Sequence, residues 1–337
     1  MVLALLGVFL VSFTLYPAYI YYAKTKKMLD IPNARSSHTT PTPRGGGVIF
    51  ALLWIFLVFL SCKQGWIDLT LYWLLVPSLS LITVIGFLDD CKSLPVSIRL
   101  LLQIFSVGIF AFYLQKAPSL QLGVMNLSAA FVVWPVILLS LLWTTKLYNF
   151  MDGLDGLAAI EALFVFGTGS YLLWAQGSAD LAMMSFAACV VLIPFLLWNW
   201  PKARVFMGDA GSYFLGFLVG TLGILGEKQA KLPIGFWVIL FGVFWFDATL
   251  TLLRRYLYKQ KIWTAHRLHA YQRLHQAGWS HKAVLCGLIA VNTGLSGIAL
   301  IAYHFDSCAY GLLASCLLLL ALYIGVEKIS PFAIVKN

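Results

Sequence analysis

The chain has 337 residues, 61% of them hydrophobic and only 11% charged, with a mean hydropathy of +0.87. A soluble domain carries roughly twice that charge fraction, so the composition excludes a soluble enzyme and calls for an all-α, polytopic transmembrane bundle. The net charge of +10 would suggest nucleic acid in a soluble protein; here it is the Lys and Arg excess of cytoplasmic loops, and no nucleic-acid partner is expected.

In chain order, eleven apolar spans are predicted at 1–23, 46–61, 67–88, 98–115, 127–145, 156–175, 180–198, 211–226, 232–253, 282–303 and 307–326. Met1 to Tyr22 has neither a basic leader nor a small-residue cleavage site, so it reads as a retained first helix. With the N-terminus periplasmic and the C-terminus cytoplasmic, nineteen of the 23 Lys and Arg fall on the cytoplasmic side. Only Lys63, Lys116, Lys228 and Lys231 stay outside, as the positive-inside rule requires. The whole of 1–337 is then one integral-membrane domain, with cytoplasmic connections at 24–45, 89–98, 146–155, 199–211 and 254–281. The first ends in Pro41-Thr42-Pro43-Arg44-Gly45-Gly46-Gly47, which is loop chemistry. The last is rich in Arg, His, Tyr and Gln and reads as an amphipathic or partly structured surface segment. The six cysteines form no CxxC pair, which argues against a metal or redox role for them.

The acidic residues sort to the same side. Asp89 and Asp90 close the third span, and Asp152 and Asp155 precede the sixth in Asn149-Phe150-Met151-Asp152-Gly153-Leu154-Asp155-Gly156. Asp209 precedes the eighth in Gly208-Asp209-Ala210-Gly211, and Asp247 lies near the inner end of the ninth. Charges held so close to membrane-grade sequence are costly and point to function. Carboxylates with an amide suit a hard cation, and glycine backbone at a helix start makes a seat for pyrophosphate. Such a set reads as metal-assisted phosphoryl transfer between a soluble and a lipid substrate. His266-Arg267-Leu268-His269 fits anion recognition better than zinc, since no third zinc-type ligand is adjacent. His38, His275, His281 and His304 lack such context and read as surface or interfacial residues. Glu161, inside the sixth span, reads as the partner of a cation in the bundle or as a proton carrier.

These motifs resemble the polyprenyl-phosphate N-acetylhexosamine-1-phosphate transferase family (the MraY/WecA superfamily). The likeness runs through Pro41–Gly47, Gly86–Asp90, Asn149–Ala158, Phe206–Gly216, Asp247 with Arg254-Arg255, and His266–Gln272. The wording of the motifs is closest to the WbpL-like branch that initiates O-antigen chains. The resemblance implies transfer of a sugar 1-phosphate from a UDP-N-acetyl sugar to undecaprenyl phosphate in the bacterial inner membrane, with release of UMP. It implies Mg²⁺ (or Mn²⁺) on Asn149 and Asp209. It assigns Asp89 and Asp90 to the lipid phosphate, makes Asp152 and Asp155 the central acidic motif, and gives substrate contacts to Arg44, Arg99, Asp247, His266, Arg267 and His269. Membrane lipid surrounds the enzyme, and a homodimer is left open.

Two departures stand out. His266-Arg267-Leu268-His269 replaces three consecutive histidines of the pentapeptide-transferring branch, which argues against UDP-MurNAc-pentapeptide as donor. Arg99 fills a family Lys position, exchanging a compact ammonium for a guanidinium fork. The rival readings are a pentapeptide-type transferase and, from another class, a transporter or flippase, which would need midplane charges and repeated halves.

Overall fold

The computed structural model describes residues 2–32, 37–261 and 266–332. Among these residues thirteen helices run in order as α1 (Val2–Thr25), α2 (Gly47–Lys63), α3 (Leu69–Lys92), α4 (Val96–Leu114), α5 (Ala130–Met151), α6 (Leu157–Ala175), α7 (Ala179–Asn199), α8 (Gly208–Ala230), α9 (Ile234–Leu240), α10 (Gly242–Leu257), α11 (Ala270–Gln276), α12 (His281–His304) and α13 (Cys308–Ile329). Among the described residues nine of these are long and apolar enough to cross a membrane. The bent pair α9 and α10 makes a further span, and α2 is a shorter apolar helix. Every predicted span therefore has a helix, or a bent pair of helices, in its place. The chain is a multi-pass membrane protein, in which helices satisfy their own backbone groups where no water can.

The bundle is organised around α8. Its best membrane window is 83% buried, against 17% for α1 and 22% for α4 and α13. It packs on α3 and α5, and small residues let the backbones approach. A Cβ on Gly86 of α3 would lie 2.6 Å from Ala210 Cα, so only glycine permits that crossing. Around it α6 and α7 form the next layer, with α1, α4 and α13 outermost.

One feature departs from the prediction. The span expected at 232–253 is broken, with α9 and α10 at 79° to each other. Phe241 at the bend stacks on Tyr148 of α5 at 5.8 Å, and Phe244 packs edge-on to the same ring. That aromatic cluster fixes the corner from which α10 leaves the bundle. The 254–281 segment, expected to be amphipathic or partly structured, carries the short α11 among its described residues, tied to α13 by Glu327, which accepts from Arg254 and Arg273 at 2.8 Å each. Two short antiparallel pairs, β1 (Leu29–Asp30) with β2 (Thr42–Pro43) and β3 (Leu120–Leu122) with β4 (Met125–Leu127), are the described sheet structure.

Candidate active site

At one end of the bundle the connections α1–α2, α5–α6, α7–α8 and α10–α11, with the end of α3, surround a cavity of about 400 Å³. Seven of the predicted site residues line it: Arg44, Asp90, Asn149, Asp152, Asp155, Asp209 and His266. Asp89, Arg99, Asp247, Arg267 and His269 do not.

The entrance to α8 is the first part of the site. Pro43 O accepts from Phe206 N (2.7 Å), and Gly46 N and Gly47 N donate to Phe206 O and Met207 O at 2.9 and 2.8 Å. The proline–glycine loop is thereby zipped onto the strand of chain that leads into α8. Gly208 turns there with φ +73°, and a Cβ would meet Gly45 N at 2.6 Å. This corner needs glycine on both grounds. The backbone N–H groups of Asp209 and Ala210 donate to the two Asp90 oxygens at 3.0 and 3.1 Å. The expected pyrophosphate seat at this helix start is therefore corrected: Asp90 occupies it as a fixed anion at the positive end of the helix.

Asp209 lies in the first turn of α8. Asn149 Nδ2 donates to its Oδ1 at 2.6 Å and to Ser212 Oγ at 3.0 Å. Beside it, Arg99 donates to Asp89 Oδ2 at 2.8 Å and stands 3.9 Å from Asp209 Oδ2. Asp89 also accepts from Leu94 N at 2.7 Å and from Tyr213 Oη at 3.3 Å. Of the adjacent acidic pair, one member caps α8 and the other holds Arg99 against Asp209.

The α5–α6 loop closes another wall. Asp155 Oδ2 accepts from Ala203 N (3.1 Å) and pairs with His281 Nδ1 at 3.2 Å. Asn199 clamps the same corner, accepting from Gly156 N and donating to Val205 O, both at 2.8 Å. Asp152 faces the cavity and has no hydrogen-bond or ion-pair partner among the described residues. Burial, then the charges of Asp90 and Asp155, push its carboxyl from 3.8 up to about 7.

The α10–α11 segment supplies His266 and Gln272. Burial and the neighbouring His269 and Arg255 lower His266 to about 3, so the free protein carries it as neutral imidazole. Asp247 accepts from Ala270 N at 3.0 and 2.9 Å and stands 3.6 Å from His269 Nδ1. Both residues are buried, and they shape the loop from behind the cavity. Arg267 accepts from Gln276 Nε2 through its backbone oxygen at 2.8 Å.

Four residues read as unremarkable, or passed over, in the sequence belong to the site. His38 and Ser37 line the cavity, Ser37 donating to Gly153 O at 2.8 Å. His281 pairs with Asp155, and Asn199 is the clamp. Asn199 carried a usable signal, an amide beside Pro201 at the end of an apolar span; His281 carried none. Glu161 pairs with an amide rather than a cation: Asn292 Nδ2 of α12 donates to it at 2.6 Å.

The donor set fits a hard divalent cation. The five cavity carboxylates, Asp30, Asp90, Asp152, Asp155 and Asp209, could not accept an anionic diphosphate without positive charge between them. Among the described residues no donor reaches Asn149 Oδ1 and Asp152 is unpaired, while the Asp209 carboxyl lies beside that of Asp89 with Arg99 at 3.9 Å. Among the described residues no group of three or more His, Cys, Asp or Glu is placed to hold a metal ion by itself.

The family model described as "Glycosyl transferase family 4" matches residues 71–227. A Bacillus subtilis (strain 168) protein, "Probable undecaprenyl-phosphate N-acetylglucosaminyl 1-phosphate transferase", is 30% identical over 75% of this chain and 71% of its own length. The chain belongs to glycosyl transferase family 4. Two further relatives carry the name "Phospho-N-acetylmuramoyl-pentapeptide-transferase". The one from Synechococcus sp. (strain JA-2-3B'a(2-13)) is 32% identical over 78% of this chain and 80% of its own. That of Geobacillus sp. (strain WCH70) is 27% identical over 86% and 94%. Membership of a transferase family answers the transporter alternative. The family match covers Asp89, Asp90, Asn149, Asp152, Asp155 and Asp209, whereas Arg44, Asp247 and the 266–269 segment lie outside it.

Proposed function

We propose that this enzyme transfers an N-acetylhexosamine 1-phosphate (GlcNAc-type or a 6-deoxy relative) from its UDP derivative to undecaprenyl phosphate, releasing UMP. The reaction takes place at the cytoplasmic face of the bacterial inner membrane and begins an O-antigen or related envelope polysaccharide. The observation that carries this reading is the cavity itself: Asp209, Asn149 and Asp152 brought together at the end of a membrane bundle, beside Arg44 and His266.

In the reaction an oxygen of the lipid phosphate attacks the β-phosphorus of the UDP-sugar. The bond from that phosphorus to the oxygen bridging it to the α-phosphate breaks, and UMP leaves with the electron pair. Asn149 and Asp209 would hold Mg²⁺, or Mn²⁺, which when bound supplies charge neutralisation to the diphosphate. Arg44 faces the same anion, while neutral His266, Gln272 and His38 offer polar edges to the nucleotide and sugar. Asp90 fixes the start of α8 and so the direction of Asp209. A phosphate monoester loses its second proton near pH 6, so the attacking oxygen needs little base catalysis. Positioning and charge stabilisation carry the rate.

A second reading, transfer of phospho-MurNAc-pentapeptide, is favoured by the names of the Synechococcus and Geobacillus relatives. The His266-Arg267-Leu268-His269 sequence speaks against it. The test is UMP release by purified enzyme with Mg²⁺ and undecaprenyl phosphate across a donor panel. Release from UDP-GlcNAc-type or 6-deoxy donors is expected. Turnover of UDP-MurNAc-pentapeptide alone would select the second reading, and turnover of no donor would remove the proposal.

A further inference from the structure

Lys146 is a cation that neither the family resemblance nor the cavity absorbs. It lies on α5 one helical turn before Asn149, so the two side chains share a face. It is half-buried, and its ammonium sits over the Tyr213 ring at 5.2 Å from the centroid. Among the described residues no carboxylate, carbonyl or hydroxyl accepts a hydrogen bond from it. Close by, the carboxylates of Asp89 and Asp209 are engaged by Arg99 and Asn149. Arg99 is itself only partly used, since its buried Nε has no acceptor.

A half-buried ammonium with open donors and an arginine with a spare N–H converge beside Asp209, yet neither lines the donor cavity. Their surroundings open to lipid. On α4, Val96, Leu100 and Leu101 are 67%, 42% and 66% exposed, and on α5 Trp143 and Phe150 are 38% and 41% exposed. The two helices pack against each other with Arg99 and Lys146 at their cavity-facing ends. The Tyr213 ring face attracts the ammonium without neutralising it, keeping it oriented and partly desolvated. A phosphate monoester with a charge of about −1.5 to −2 is the anion two such cations match.

We infer that Lys146 and Arg99 form the seat for the phosphate of the lipid acceptor, on the side of Asp209 and Asn149 away from the donor cavity. The inference rests on the proposed reaction. It places the attacking oxygen and the departing UMP on opposite sides of the Asn149–Asp209 pair, as in-line displacement requires. Asp89 is then a positioning residue, holding one arm of Arg99.

The test uses full-length enzyme in lipid nanodiscs. Lys146→Gln is expected to raise KM for undecaprenyl phosphate by roughly tenfold or more, the loss of one charge-assisted contact. Lys146→Arg should keep it within about threefold. Calorimetric UDP-sugar binding without lipid should stay at the wild-type value in both variants. An unchanged acceptor KM in Lys146→Gln, or an equal loss of donor affinity, overturns the inference. A measurement on wild-type protein stands beside the variants: farnesyl phosphate should protect Lys146 from reductive methylation, read by mass spectrometry. UMP, farnesol and inorganic phosphate should not. Equal protection by inorganic phosphate would mark a site for soluble anions and overturn the assignment to lipid. Wild-type enzyme that turns over while Lys146→Gln matches it sinks this inference alone; wild-type enzyme that releases no UMP sinks the proposed function.

Discussion

Replacing Asp90 tests whether α8 is held where the chemistry needs it. Its carboxylate is 3% exposed and accepts from the N–H groups of Asp209 and Ala210 at 3.0 and 3.1 Å. A buried N–H left without a partner costs about 1–3 kcal/mol. Asp90→Ala strands both groups and should lower stability by about 2–6 kcal/mol. Asp90→Asn keeps one acceptor and should lose about half of that, with the charge–dipole attraction at the helix start also gone. Thermal unfolding of the purified protein in detergent, followed by tryptophan fluorescence, reads the ranking wild type, then Asn, then Ala. Hydrogen exchange by mass spectrometry over residues 206–214 should show faster exchange in the same order. An Ala variant with the wild-type melting temperature and wild-type protection of this peptide would refute the capping role.

Three further outcomes follow from the same geometry. Asp152 binds a proton more tightly when folded, its carboxyl having moved from 3.8 to about 7. In metal-free buffer its contribution to stability is therefore greatest below about pH 4 and is lost as pH rises through about 7; Asp152→Asn should flatten the slope of melting temperature against pH in that window, and an unchanged slope would contradict the assignment. His281→Ala, which removes the 3.2 Å partner of Asp155, should cost about 1.5–3 kcal/mol in thermal unfolding, whereas an unaltered melting temperature would show the pair to be incidental. Glu161→Gln should fold like wild type because an amide still meets Asn292, while Glu161→Leu strands the Asn292 amide at a cost of about 1–3 kcal/mol; calorimetric donor binding should be the same in both, and a donor-affinity loss in the Gln variant would place Glu161 in the site.

The helices were legible because a bilayer imposes length and apolarity on each segment separately. The break at Phe241 was not, since α9 and α10 are apolar enough to pass together as one span. What bends them is packing on Tyr148, a residue of another helix. The site divides in the same way. Asn149, Asp152, Asp155 and Asp209 announced themselves as polar groups beside glycines in an apolar chain, and all four line the cavity. Asp90 looked like its neighbour Asp89, and only the α3–α8 crossing at Gly86 separates a helix cap from an arginine holder. His281 and Lys146 carried no local mark, because what gives each its meaning is Asp155 in one case and the Tyr213 ring in the other.

The central claim is that the bond made in this reaction is to the β-phosphorus. A UDP-N-acetyl sugar labelled with ³²P at the β-phosphate, incubated with the enzyme, Mg²⁺ and undecaprenyl phosphate, tests it in one extraction. The label should appear in the organic phase as lipid diphosphate sugar, with unlabelled UMP left in water. Label retained in water as UDP, with sugar alone reaching the lipid, would place the attack at the anomeric carbon and contradict the account.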